Sequence, residues 1–524
     1  MDQNWWKGAV IYQIYPRSYC DSTGNGTGDL AGITSKIDYI ASLGVDAIWL
    51  SPFQTSPMRD FGYDVADYCD VDPLFGNLND FDDFIDAAHQ RGIKVIIDMV
   101  LSHTSDLHPW FVESRKDSTN PKADWYVWQD PKADGTAPNN WLSVFGGSAW
   151  QYCSHRGQYF LHSFLTTQAD LNLHNPDVQD AVLDACRFWL KRGVDGFRLD
   201  AMSHYFHHLS LADNPAAEAN FGNTQLDHLE PYSMQFHKYD KAQPEIYDFL
   251  KRIRSLMDEF GATMTVGEVG EDDPLRASGR YTAGDDMLHT CYNLSLMMGQ
   301  DKKLTVNTLR EPLEYYESLD IAGWPAWAFC NHDVVRVASR WGQQNNGEEN
   351  PEFAKMLIAL LTCLRGTVFL YQGEELGLPE AQLKFEELQD PWGIYLYPKW
   401  QGRDGCRTPM VWNTIPQTNY GFSSVAAKPW LPVSDKHIGK DVATQESNTE
   451  SVLNFTREFL KFRKTRPALI TGDIHFIDSG SETLLIFDRT LDGVTCRCIF
   501  NLANAAQSFE GQDFPAFAYR IDDK

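Results

Sequence analysis

Positive charge is scarce in this chain: 45 Lys and Arg face 72 Asp and Glu, a formal net charge of −27. No basic run offsets the excess locally, so the surface repels phosphate backbones and anionic lipid, which argues against a nucleic-acid or membrane partner. Apolar runs of the roughly 18 residues that a membrane span needs are absent. The opening Met1-Asp2-Gln3-Asn4-Trp5-Trp6 has no charged n-region or apolar h-region, so a cytoplasmic location is expected. Cys-x-x-Cys does not occur; the ten cysteines are scattered, the nearest pair being Cys496 and Cys498, and read as reduced thiols. Neither His103, Asp106 and His108 nor His204, His207 and His208 have His-Glu-x-x-His spacing, so no catalytic zinc is read. Gly-x-Gly-x-x-Gly and Walker loops are missing, as are internal repeats. No cofactor is expected for catalysis.

What is present is a large core. The 524 residues are 43% hydrophobic and 13% aromatic, which excludes disorder. Short β-branched or aromatic runs recur between amphipathic stretches: Val10–Tyr15, Asp46–Leu50, Lys94–Met99, Val194–Asp200, Met264–Glu268, Leu288–Asn293, Ala326–Asn331 and Val368–Tyr371. Helical spacing lies between them, as in Val182-Ala185-Cys186-Trp189. Eight such units predict an α/β fold, a (β/α)8 TIM barrel with its site at the carboxyl ends of the strands. The expected division is barrel over 1–103, an inserted subdomain over 104–167, barrel again over 168–469 with an irregular insertion at 374–440, and an antiparallel β domain over 470–524.

Polar residues gather at the predicted strand ends: Asp98 to His103, Arg198 to Asp200, Glu268, and Asn331-His332-Asp333. Glycosidic cleavage through an oxocarbenium-like transition state requires an ionised carboxylate nucleophile and a protonated carboxyl acid. Arg198 and Asp200 are two apart, so a strand points both to one face, and the guanidinium is expected to keep Asp200 ionised. Glu268 ends an apolar run, where partial desolvation would favour the protonated form. Asp333 supplies a third carboxylate.

These segments resemble the α-amylase family of glycoside hydrolases, family 13, in its α-glucosidase and oligo-1,6-glucosidase branch. The resemblance runs from Trp5 to about Pro467 and includes Ile14-Tyr15-Pro16-Arg17-Ser18, Gly62-Tyr63-Asp64, Gln168-Ala169-Asp170-Leu171-Asn172, Gly196-Phe197-Arg198-Leu199-Asp200, Tyr371-Gln372-Gly373-Glu374-Glu375 and Gly402-Arg403-Asp404-Gly405-Cys406-Arg407-Thr408-Pro409-Met410. It implies Asp200 as nucleophile, Glu268 as acid/base and Asp333 as transition-state stabiliser. It further implies Asp60, Tyr63, His103, Arg198, His332 and Arg403 around the terminal glucose, with Phe145 and Phe164 packing on it from the insertion. The implied activity is a retaining exo-acting α-glucosidase on short α-glucosides, with transglucosylation. A trehalose- or sucrose-converting enzyme of the same family and a non-catalytic transporter partner are the alternatives. Ala201, small where α-1,6-preferring relatives carry Val, points to α-1,4 preference. Ser102 departs from the usual Asn before His103. The loop of Asp21, Thr23, Asn25, Thr27 and Asp29 matches one where relatives hold Ca2+ or Mg2+, with less ligand charge here; a Gly-rich Asx turn is the competing reading. The expected partner is a small oligosaccharide or α-glucoside, for a monomer or homodimer.

Overall fold

The computed structural model describes residues 3–217, 231–297, 303–321, 323–348 and 350–524. Eight parallel strands close into a barrel: β1 (Val10–Ile14), β2 (Ala47–Leu50), β3 (Lys94–Met99), β4 (Gly196–Leu199), β5 (Met264–Val269), β6 (Thr290–Asn293), β7 (Trp324–Ala328) and β8 (Thr367–Tyr371). They follow one another around the ring in chain order, with β8 beside β1, as short right-handed crossovers require. All eight fall on the predicted segments. β7 is displaced most, against an expected Ala326–Asn331. Beyond Ala328 the chain leaves the ladder and turns, with the Asp333 amide donating to Asn331 Oδ1 at 2.8 Å.

Two compact units divide the chain: Met1–Ser51, Asp83–Val95 and Tyr292–Lys524 form one, Pro52–Asp82 and Ile96–Cys291 the other. In the first unit β1 is buried along its whole length and pairs in register with β8, Val10 against Val368. Burial on both sides explains why these strands read as unbroken apolar runs. The chain ends in an antiparallel sheet, β9 (Asp473–Ile477), β10 (Leu484–Leu491), β11 (Val494–Asn501) and β12 (Tyr519–Asp523), paired in that order. The last of these was not predicted, because Tyr519-Arg520-Ile521-Asp522-Asp523 is mostly polar and has no buried run.

In the second unit β4 lies between β3 and β5, with Arg198 opposite Asp98 on one side and Val266 on the other. The helix Pro176–Lys191 starts with Asn175 accepting the Asp177 amide and Pro176 at its first position, a favourable start. It buries Val178, Val182, Ala185, Cys186, Trp189 and Leu190. The Trp189 ring meets Phe53 at 5.3 Å and Phe81 at 4.8 Å, a contact worth about 1.5–3 kcal/mol per fully buried large side chain.

The stretch after β3 carries a small antiparallel sheet of Trp128–Gln129, Gln158–Leu161 and Trp150–Cys153. Its own core comprises Val127, Trp141, Ala149, Trp150 and Leu161. Three of its side chains grip the main chain of the loop after β4: Asn139 Nδ2 donates to Leu211 O at 3.0 Å, Trp141 Nε1 to Ala212 O at 2.9 Å, and Asn140 Nδ2 to Asn214 O at 2.9 Å. All ten cysteines are free thiols, and no described helix is long and apolar enough to cross a membrane.

Candidate active site

Strand periodicity delivers Arg198 and Asp200 to one face, and the register brings Asp98 to the same guanidinium. Arg198 Nη1 donates to Asp98 Oδ1 at 2.6 Å and to Asp200 Oδ1 at 2.5 Å, and Nη2 to Glu268 Oε2 at 2.7 Å. Side-chain exposure rises through this row, from 0% at Asp98 and 1% at Arg198 to 10% at Asp200 and 17% at Glu268. The cluster thus opens at the Asp200–Glu268 end.

One oxygen of each carboxyl is tied down and the other is left. Glu268 Oε2 accepts both Arg198 and the Ala201 amide, at 3.0 Å; among the described residues its Oε1 accepts nothing. Asp200 Oδ1 takes Arg198, and among the described residues its Oδ2 takes nothing. The Ala201 amide reaches Glu268 because that residue is left-handed, with φ 41° and ψ 40°, a conformation uncommon outside glycine. Gly267, just before Glu268, lies against Met202: a Cβ there would collide with the Met202 sulfur.

One guanidinium among three carboxylates changes the charge expected at Asp200. Burial pushes its pKa up; Arg198 pulls it down, but Glu268 and Asp98 push it up again, and the net shift is upward. Arg198 is shared three ways, so it does not hold Asp200 ionised alone.

The remaining predicted residues of this unit are joined to this cluster by a chain of contacts. Tyr63 donates from its hydroxyl to Asp98 Oδ2 at 3.3 Å, and Asp60 accepts Gln168 Nε2 at 3.0 Å. His103 Nε2 faces the Tyr63 carbonyl at 3.0 Å and Gln168 Nε2 at 3.2 Å, and its Nδ1 faces Ser102 Oγ at 3.0 Å. The Ser102 departure therefore still supplies His103 with a polar partner. Burial holds His103 down to about 4, so the ring is neutral. Phe164 lies 5.1 Å from His103 and 6.0 Å from Phe145. Asp64 shapes the loop instead of facing outward, accepting Ser56 Oγ and the Arg59 and Asp60 amides.

In the other unit His332 and Asp333 sit beyond β7. His332 Nδ1 meets Gln13 Nε2 at 2.7 Å, and its Nε2 meets Asp333 Oδ2 at 3.1 Å. Asp333 Oδ1 takes Arg403 Nη1 at 3.2 Å and Arg407 Nη2 at 2.7 Å. Arg403 is gripped in turn by Asp390, through Nε at 3.0 Å and Nη2 at 2.8 Å. Burial works against the Asp390 charge, yet Arg403 keeps its pKa below the usual range. Sequence reasoning gave no role to Arg407 or Asp390. Arg407 stood inside a matched motif and could have been found; Asp390 lies in an irregular stretch with no pattern.

The Asp21–Asp29 loop closes on its own donors. Asp21 Oδ1 accepts Gly24 N at 2.6 Å and Oδ2 accepts Gly26 N and Ser423 Oγ at 2.8 Å. Asp29 takes Ser22 Oγ at 2.7 Å and Gly32 N at 2.6 Å on Oδ1, and Ser22 N at 2.9 Å on Oδ2. Asn25 Oδ1 accepts Thr27 N at 2.7 Å. No three His, Cys, Asp or Glu side chains among the described residues form a metal-ligand group.

The chain matches the model of the α-amylase catalytic domain over residues 13–472. It is 54% identical over 511 residues to a probable alpha-glucosidase of Rhizobium meliloti, covering 97% of this chain and 91% of that one. It is 36% identical to the oligo-1,6-glucosidase of Heyndrickxia coagulans, over 97% and 94% of the two chains. The crystal structure of XgtA, an alpha-glucosyl transfer enzyme, superposes with a TM-score of 0.94 at 48% identity, over 99% of both chains. The protein belongs to the α-amylase family of glycoside hydrolases. Within it, it is an α-glucosidase-like enzyme acting on α-glucosides.

Proposed function

We propose that the protein is a retaining, exo-acting α-glucosidase that prefers short α-1,4-glucosides such as maltose and also transfers glucose to other acceptors. The observation that carries this reading is the paired unoccupied oxygens, Asp200 Oδ2 and Glu268 Oε1, each opposite an oxygen fixed by Arg198. Adjacent nitrogens of one guanidinium hold the two carboxyls, which suits the retaining separation of about 5–5.5 Å better than the inverting one of about 6.5–9.5 Å. Asp200 Oδ2 attacks the anomeric carbon as its bond to the leaving oxygen breaks, and Glu268 Oε1 gives its proton to that oxygen. Water or a second sugar then attacks the glucosyl ester, returning a proton to Glu268 and freeing Asp200. Asp333 is assigned on the family pattern to the sugar hydroxyls. The names of the relatives support both hydrolysis and transfer.

5-Fluoro-α-D-glucosyl fluoride is the deciding probe, because it traps the ester. Mass spectrometry should find the label on the peptide carrying Asp200; a label elsewhere, or β-glucose as the first product by NMR, overturns the reading. Linkage preference rests on Ala201. Its single methyl leaves the aglycone approach open, and Ala201→Val should shift the maltose-to-isomaltose ratio by about 10-fold or more towards isomaltose. Because Val is strained at positive φ, melting temperature is measured alongside.

A further inference from the structure

Glu268 is the penultimate residue of β5, and the chain that follows the strand is tied by hydrogen bonds. Beyond β5 it runs through Gly270, where an added Cβ would meet nothing within 4 Å. Two hydrogen bonds hold it. The Gly270 amide donates to Ser203 Oγ at 3.2 Å, and the Gly270 carbonyl accepts Lys241 Nζ at 2.9 Å. The circuit closes through the main chain, because the amide of Ala242 donates to Ser203 O at 2.7 Å. Ser203 lies three residues past Asp200 in the turn Met202–His204. Nucleophile loop, acid loop and the Lys241–Ala242 segment are thereby locked together.

Lys241 is an unusual residue for a purely structural strut. It is 8% exposed, its ammonium lies 5.5 Å from the Tyr232 ring, and that ammonium's one hydrogen bond among the described residues is the one to Gly270, while the Lys241 carbonyl accepts Gln243 Nε2 at 2.6 Å. It borders a cleft of about 100 Å³ with Glu271, Asp272 and Arg276. Burying an ammonium is expensive unless it is paired, and the burial lowers its pKa while Asp240, Asp272 and Glu271 oppose that. A Met or Leu would fill the same space without that penalty. What the ammonium adds is a charged donor on the peptide two residues beyond the acid.

We propose that Lys241 is a positioning residue for catalysis: through Gly270 it fixes the backbone from which Glu268 projects and so aims Oε1 at the leaving oxygen. This rests on the assignment of Glu268 as the acid. Lys241→Met and Lys241→Arg are compared on maltose, a poor leaving group, and 2,4-dinitrophenyl α-glucoside, a good one, through kcat/KM, which reports bond cleavage. Lys241→Met should lose about 10- to 100-fold on maltose and less than about 3-fold on the aryl glucoside. Lys241→Arg, which keeps a cationic donor, should recover part of the maltose loss. Ser203→Ala, which removes the other tie, should show a weaker form of the same asymmetry and covers the case in which Lys241→Met fails to fold. Equal losses on both substrates, or Lys241→Met at the wild-type rate on maltose, overturn the proposal. Glu268→Gln on the same two substrates separates the two ideas. If it discriminates and Lys241→Met does not, only the positioning role falls; if it does not discriminate either, Glu268 is not the acid.

Discussion

The two carboxylate clusters, one in each unit, differ in charge balance. Around Arg198 three carboxylates share one cation. Around Asp333 two guanidiniums and a histidine meet two carboxylates, Asp333 and Asp390. In the acid-rich cluster, burial and the neighbouring carboxylates push the Asp200 pKa up against the pull of Arg198. Where two guanidiniums meet two carboxylates the charges balance, and Arg403 holds Asp390 below the usual carboxylate range despite its burial, which suits groups that only have to present charge and accept hydroxyl protons. The same residue types thus serve different ends according to how many arginines each carboxylate shares.

Removing one arginine from each cluster breaks the comparison most sharply. Arg198→Met leaves three buried carboxylates without a cation, and should lower kcat by about 10³-fold or more and destabilise the fold by about 3–5 kcal/mol. Arg407→Met leaves Asp333 with Arg403 and His332, and a loss of about 10- to 100-fold is expected. Denaturant melts and initial rates on maltose check both, and equal effects would erase the distinction.

Buried groups with no charge partner sharpen it further. Burial holds His437 down to about 3 and His103 to about 4, against 6.5. The unfolded chain takes up protons below pH 6.5 and the folded one does not until its lower pKa. Their stabilising contribution is therefore complete above 6.5 and lost as pH falls through 6.5 towards 4. His437 Nε2 faces Pro379 O at 2.8 Å, a donor position that Gln can keep. His437→Gln should flatten the acid limb of the melting curve by about 1–3 kcal/mol; an unchanged slope would show that His437 does not titrate there. The smallest effect is expected at the Asp21 loop, where EDTA should move the melting temperature by less than about 1 °C. A larger drop, reversed by Ca2+, would mean that the loop's own donors do not suffice.

The barrel was legible because each strand states its own burial. Runs such as Val10 to Ile14 need no distant partner to be recognised. The pairing of Arg198 with Asp200 was equally local, a consequence of period two. What escaped depended on contacts between remote segments or on backbone angles. Nothing in the letters around Ala201 announces a left-handed residue whose amide meets a carboxylate 67 positions on. Nor does a lysine at 241 announce that its target is a glycine carbonyl after β5. The inserted sheet was placed by composition alone, since its tryptophans signal a small core without giving its pairing.

The grip of the inserted sheet on the loop after β4 has an evolutionary consequence. Asn139, Asn140 and Trp141 hold Leu211, Ala212 and Asn214 by main-chain carbonyls, which every amino acid offers alike. Side chains at Leu209 and Ala212 can therefore drift without unfastening the loop, and Leu209 is already 68% exposed, whereas Leu211 packs on the core of the inserted sheet. A lineage can rewrite this stretch one substitution at a time while its anchorage persists, and a randomised library over the same positions should retain a high fraction of folded members.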